Sequence, residues 1–244
     1  MRYIHTEDVH NTTAAEIVVP LVMESFSPSS VLDVGCGIGT WLSVFKKYGV
    51  ASVLGIDGGY VDPELLQKFI AKDEFLPVDL VNPFNLGRRY DFIVSLEVAE
   101  HLPQASADIF VKSLTLHGDL ILFSAAAPYQ GGQNHLNEQW QTYWIEKFAV
   151  RGFRAYDWLR PSVWSDGRVD LWYRQNTILF SSRAIEIPKS FIPNLILPDL
   201  WEKTNHSLKN SQEQLIRIRD GKVGIGFYLK GIVKSLRYLG KKVS

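Results

Sequence analysis

Glu97, Glu100 and His101 fall in the run Glu97-Val-Ala-Glu100-His101, so one helical turn would let all three side chains converge on one point. Two carboxylates and an imidazole form a hard-to-borderline ligand set that suits Mg²⁺ or Mn²⁺, with Zn²⁺ less favoured. A fourth ligand must come from elsewhere, and His135 in Asn134-His135-Leu-Asn-Glu138-Gln-Trp140 is the candidate. Without a metal, His101 could instead act as a general base for a hydroxyl. A second group lies upstream, where Asp33 precedes Gly35-x-Gly37-x-Gly39. Such a turn has no Cβ atoms to keep a ligand away from backbone N–H groups at a helix start. The third glycine comes one residue earlier than in the dinucleotide fingerprint. Asp57, about 20 residues on, is placed to accept hydrogen bonds from a ribose diol. Cys36, between two of the glycines, reads as a small buried apolar residue.

The elements that would carry these residues alternate between short β-branched runs and amphipathic stretches, which predicts an α/β sheet. Strands are expected at Val31–Val34, Ser52–Ile56, Phe75–Val78, Tyr90–Ser95 and Gly118–Ser124. Later strands are expected at Phe153–Leu159 and Arg174–Ser182, on either side of an irregular insertion over about 160–173. Helices are expected at Thr40–Tyr48, Pro63–Ile70, Gln104–Leu114 and Asn137–Val150. Ligands of open α/β sheets bind at the carboxyl ends of the strands, which is where the glycine turn, Asp57 and the Glu/His cluster all fall.

Val-Leu-Asp33-Val-Gly35-Cys-Gly37-Ile-Gly39-Thr resembles the first motif of the class I S-adenosylmethionine-dependent methyltransferases, and Tyr90-Asp91-Phe-Ile-Val-Ser-Leu-Glu97 resembles their fourth-strand motif. The resemblance covers roughly Val31 to Ser182. It implies a Rossmann-like seven-stranded sheet with the last strand antiparallel, and S-adenosylmethionine as cofactor. By the same resemblance Asp33, Gly35, Gly37 and Gly39 line the methionine part, Asp57 holds the ribose and Asp79 holds the adenine amino group. Leu80 and Leu96 complete that pocket. Glu97, Glu100, His101 and His135 together are similar to the E-x-x-E-H…H pattern of metal-dependent members, among them small-RNA 2′-O-methyltransferases and quinone-biosynthesis O-methyltransferases. The implied catalytic residues are Glu100, His101 and His135, with the metal at an acceptor oxygen. Three readings stay open here: a metal site, a metal-free site with His101 as base, and a structural role in which Glu97 caps the cofactor pocket and Glu100 is solvated. Two rivals remain: a non-catalytic cofactor-binding module, and an RNA 2′-O-methyltransferase with the basic tail as its nucleic-acid contact.

Five tryptophans, Trp140, Trp144, Trp158, Trp164 and Trp172, are interleaved with Arg160, Arg168 and Arg174. Aromatic faces beside polar forks suit sugar rings. Trp164, Arg168 and Trp172 are the candidate acceptor contacts, whereas Trp144, at helical spacing from Trp140, reads as core. Gly131 through Trp144, Leu159-Arg160-Pro161 and Trp172-Tyr173-Arg174-Gln175-Asn176 resemble bacterial methyltransferase-domain proteins associated with surface-polysaccharide and glycan assembly. That resemblance implies a sugar hydroxyl as acceptor, and quinols and phenols stay open.

The whole chain, 244 residues with 26 basic and 26 acidic side chains, has no net charge. The balance hides an acidic body of −7 and a tail over residues 200–244 of +7, in which ten Lys and Arg face Glu202, Glu213 and Asp220. No DNA partner is expected from such a body. A single Cys excludes an internal disulfide framework. The start of the sequence has no apolar signal core, and no apolar run approaches the ~20 residues that span a bilayer. A cytoplasmic protein is expected, peripheral at the inner membrane surface if the tail docks there. The expected divisions are an N-terminal helical cap (1–29), a cofactor-binding domain (30–183), and a linker punctuated by Pro188, Pro193 and Pro198 followed by the basic amphipathic tail (184–244). The tail is expected to be helical and is a candidate contact for this protein's own acidic body, for a second subunit, for another protein or for a membrane.

Overall fold

The computed structural model describes residues 11–186 and 194–242. Its centre is a seven-stranded sheet of order β3-β2-β1-β4-β5-β7-β6, made of β1 (Ser30–Val34), β2 (Ser52–Asp57), β3 (Phe75–Pro77), β4 (Phe92–Leu96), β5 (Leu120–Ser124), β6 (Arg154–Tyr156) and β7 (Ile178–Ser181). The pairs β1–β2, β1–β4, β2–β3 and β4–β5 are parallel, and β7 runs antiparallel to β5 and β6. This is the Rossmann-like order expected from the sequence. The central strands are apolar on both faces because both are covered. Val31, Phe92, Val94, Leu120 and Leu122 face one core cluster, while Leu32, Val34, Ile93, Ile121 and Phe123 face the other.

The first face is covered by α1 (Thr13–Phe26), which buries Ala14, Ala15, Val18, Val19 and Val22 at helical spacing, and by α2 (Thr40–Lys47). The second face is covered by α4 (Ala107–His117) and α5 (Gln141–Ala149), with Trp144 buried as core as its spacing implied. α3 (Pro63–Leu66) is only one turn. Asp62 caps it by accepting from the Glu64 and Leu65 N–H groups, and Pro63 begins it where a missing N–H costs nothing.

Three expectations are corrected. The span 160–173 is not irregular throughout, since it contains α6 (Arg160–Val163) and the start of α7 (Leu171–Asn176). The seventh strand therefore begins at Ile178 rather than Arg174. Pro198 is not in a linker; it is the first residue of α8 (Pro198–Arg219), which is followed by α9 (Ile225–Lys242). Pro188 and Pro193 lie outside the described residues. The chain divides into two compact units, 1–197 and 198–244. The body extends as far as Leu197 because the Gln175 side chain donates to the Leu195 carbonyl and accepts from the Leu197 N–H.

Arg160, one of the arginines interleaved with the tryptophans, is structural. It is 1% exposed, and its guanidinium meets both Asp157 oxygens at 2.7 Å. Truncation would strand Asp157 beneath the surface without its charge partner. Arg160→Ala should lower stability by about 3–5 kcal/mol in denaturant titration. Arg168→Ala, which removes an exposed side chain paired with Asp166, should leave the midpoint unchanged.

Candidate functional site

A cavity of about 860 Å³ opens at the carboxyl ends of β1, β2 and β4. The turn after β1 forms its floor. Gly35 (φ +82°), Gly37 (φ +54°) and Gly39 (φ +86°) are all left-handed. A Cβ on Gly35 would come within 2.3 Å of the Val98 side chain, and one on Gly39 within 2.9 Å of Ile70. The turn is tied to β2 by the Gly35 N–H donating to the Ile56 carbonyl at 2.7 Å. Asp57 accepts from the Gly37 N–H at 2.8 Å and the Gly58 N–H at 2.6 Å.

Asp33 lines the same cavity, is 3% exposed, and has one carboxylate oxygen without a hydrogen-bond partner. Burial, and secondarily the Asp57 charge, push its pKa up to about 8. Asp79 stands exposed at the rim, bonded to the Val81 N–H and the Asn82 side chain. Leu80 and Leu96 supply apolar wall. Of the residues expected around the cofactor, Gly39 alone does not line the cavity; its role is the close packing on Ile70.

On the far side β4 ends at Leu96, and the chain turns sharply through Glu97, whose φ of +55° is rare for a residue with a side chain. Ser124, at the end of β5, holds that turn through both its carbonyl and its hydroxyl, each 3.0 Å from the Glu97 N–H. A 3₁₀ turn over Ala99–His101 then presents Glu100 and His101. The loop carrying His135 docks onto this turn through its backbone, because the Leu136 and Asn137 N–H groups donate to the Glu100 carbonyl at 2.7 and 3.0 Å. One ligand-capable atom from each of Glu100, His101 and His135 lies within 4.8 Å of the others, and the two imidazole rings are 5.0 Å apart.

Glu97 stands beside this trio rather than in it. Its oxygens accept from the Gln130 amide at 2.9 Å and the Asn176 amide at 3.1 Å. Glu100 is fully buried, and neither of its oxygens has a hydrogen-bond partner in the structure. Burial first and the neighbouring Glu97 second hold its carboxyl far above the ordinary range. Burial raises Glu97 as well, against the opposing hydrogen bonds from Ser124, Asn176 and Gln130. Glu138 accepts from His135 Nδ1 at 2.8 Å, which fixes the tautomer and leaves Nε2 as the acceptor nitrogen. A buried carboxylate with unsatisfied oxygens, two imidazoles and a carboxylate behind one of them fit a divalent cation.

Glu138, Gln130, Asn176 and Gly132 were not among the sequence candidates. Glu138 follows His135 at i+3, a spacing that could have marked it. Gly132 is needed because a Cβ there would fall 2.2 Å from His135 Nε2. Among the expected acceptor contacts, Trp172 lines the cavity, with Trp41 and Tyr173 near it, whereas Trp164 and Arg168 do not. No Lys or Arg is among the described lining residues, which include the carboxylates of Asp33, Asp57, Asp79, Glu97, Glu100 and Asp170.

A methyltransferase-domain family model matches residues 6–156. No curated protein matches the chain. Among solved structures, the methyltransferase domain of bacterial CtHen1 is 22% identical, covers 70% of this chain and 98% of its own, and has a TM-score of 0.52. The sugar N-methyltransferase KedS8 from a Streptoalloteichus species is 13% identical, with coverages of 75% and 95% and a TM-score of 0.58. DesVI of Streptomyces venezuelae is 14% identical, with coverages of 70% and 92% and a TM-score of 0.54. At these identities the likeness is one of fold.

The Asp33 carboxyl keeps its proton in the folded ligand-free protein up to about pH 8, while in the unfolded chain it loses it near pH 4. Between those values the folded state binds more protons, so its stability falls as pH rises. Denaturation midpoints measured from pH 5 to 8 should therefore decline, and Asp33→Asn should make the decline shallower, leaving the share due to Glu97 and Glu100.

Proposed function

The chain belongs to the methyltransferase-domain family and is an S-adenosylmethionine-dependent methyltransferase; we propose that it methylates an acceptor hydroxyl of a sugar or glycan, aided by a divalent metal held by Glu100, His101 and His135. The observation that carries this reading is the convergence of those three side chains in the same cavity as the glycine turn and Asp57.

Bound S-adenosylmethionine supplies an electrophilic methyl group on a sulfonium. The Asp33 oxygen left without a partner suits the cationic amino-acid end of that molecule. Asp57 would hold the ribose hydroxyls and Asp79, at the rim, the adenine amino group; both face the cavity. Leu80 and Leu96 provide apolar surface for the base and exclude water.

A divalent metal, when bound, lowers the pKa of a coordinated hydroxyl. Glu100, His101 and His135 would hold it, and Mg²⁺ or Mn²⁺ suits a set anchored on a carboxylate. Glu138 orients His135, and Gln130 with Asn176 orients Glu97 beside Glu100. His101 would take the acceptor proton only where it is not a ligand, because an imidazole bound to a metal has no lone pair left to accept one. A cavity without described Lys or Arg favours an uncharged acceptor, and Trp172 offers an aromatic face against which a sugar can stack.

The reading is tested in two steps. Calorimetric titration with Mn²⁺ should show one site per chain, lost in Glu100→Gln and weakened about 10–100-fold in Glu138→Gln. Methyl transfer from labelled donor to a panel of neutral glycosides should stop in chelator and return with Mg²⁺ or Mn²⁺. Full turnover in chelator, with His101→Ala inactive, would establish the metal-free base instead. Donor binding without transfer to any sugar, phenol or quinol would point to a non-catalytic module.

A further inference from the structure

α9 is a helix of 18 residues with an apolar side that nothing in its own unit covers. At 100° per residue, Ile225, Leu229, Ile232, Val233 and Leu236 fall within one arc of about 100°. All five are exposed, from 48% for Val233 to 79% for Ile225. Lys230 and Lys234 project from the opposite side and are exposed as well. Over Ile225–Lys242, the length of α9, the sequence holds five Lys and Arg and not one acidic residue. A helix that combines a continuous apolar stripe with uncompensated positive charge is complementary to one kind of surface, a layer of anionic headgroups over hydrocarbon. Among the described residues no helix is long and apolar enough to cross a membrane, so such a helix would lie in the surface rather than span it.

The acidic body is the competing counter-charge, but the carboxylates behind its excess of −7 include the six that face the cavity. Several others are held by cations of the body, since Glu16, Glu74, Asp108 and Asp119 are paired with Lys47, Lys46, Lys147 and Arg89. We propose that α9 docks the protein on an anionic lipid surface, with Ile225, Leu229, Ile232, Val233 and Leu236 in the acyl boundary and the lysines at the headgroups.

The test uses the full chain and sedimentation with vesicles of phosphatidylcholine alone or mixed equally with phosphatidylglycerol. Binding to the mixed vesicles should exceed binding to the neutral ones by about tenfold or more, and should fall in high salt. A Lys230→Glu/Lys234→Glu double variant should lose about tenfold or more in partitioning, since each basic residue near the surface contributes roughly fivefold. Leu229→Glu/Leu236→Glu should abolish binding while leaving the thermal midpoint of the body unchanged. Equal binding to neutral and anionic vesicles, or none to either, overturns the proposal. So does a dimer in solution that Leu229→Glu/Leu236→Glu dissociates while the wild type ignores vesicles, because the apolar arc would then belong to a second copy.

Discussion

The two hydrogen bonds that Asp57 accepts, from the N–H groups of Gly37 and Gly58, are the constraint on which the rest of the site depends. They fasten the left-handed glycine turn after β1 to the end of β2, so that the floor of the cavity is backbone rather than side chain. Gly35 can then pack against Val98, and through Val98 the turn fixes where the chain goes after β4. The position of Glu97, Glu100 and His101 is in this sense set on the other side of the cavity. The same geometry places the buried Asp33 carboxyl close enough to Asp57 for the Asp57 charge to disfavour ionisation of Asp33.

A second crowding of like charge, Glu97 beside Glu100, repeats this arrangement on the acceptor side. Folding around such pairs is unfavourable for the charged forms, and in the ligand-free protein proton uptake offsets it. A cation offsets it better. No described Lys or Arg lines the cavity to do so, which leaves that task to whatever binds. The proposed function assigns one cation to each crowded pair: a sulfonium-bearing donor beside Asp33 and Asp57, and a divalent metal beside Glu97 and Glu100. An anionic acceptor would meet repulsion from both, which is the physical basis for proposing a neutral hydroxyl.

The parts of the site that were legible in the sequence are those encoded over short spans. Asp33 and the glycines occupy seven residues, and Glu97 to His101 only five, so spacing alone brought them together. The parallel strands were legible because burial on both faces leaves unbroken apolar runs such as Leu120–Phe123. What was missed lies in contacts between distant segments. Asn176 reaches Glu97 from the end of α7, and Gln130 reaches it from a loop, neither with a periodic signal. α6 and α7 have four and six residues, too short to establish a 3.6-residue repeat, so Arg174–Asn176 looked like the start of a strand. Arg160 stood undistinguished among the arginines interleaved with the tryptophans because sequence cannot tell a buried bidentate ion pair from an exposed one; only its neighbour Asp157 at i−3 hinted at the difference.

The Glu/His cluster is assembled by backbone more than by the side chains that compose it. His135 reaches Glu100 and His101 because two consecutive N–H groups, those of Leu136 and Asn137, close on the Glu100 carbonyl. Its ring finds room only because residue 132 has no Cβ, and its tautomer is set by Glu138, which also accepts the Tyr129 and Gly131 N–H groups. Glu138 therefore links loop shape to imidazole orientation. A loop held this way can vary at Gln133 and Leu136 without moving the imidazole, but it cannot vary at Gly132 or Glu138. The proposed metal site and the wall of the acceptor cavity are thus two faces of one folded loop, and a change that opens the loop to a larger acceptor would withdraw His135 from the cluster at the same time.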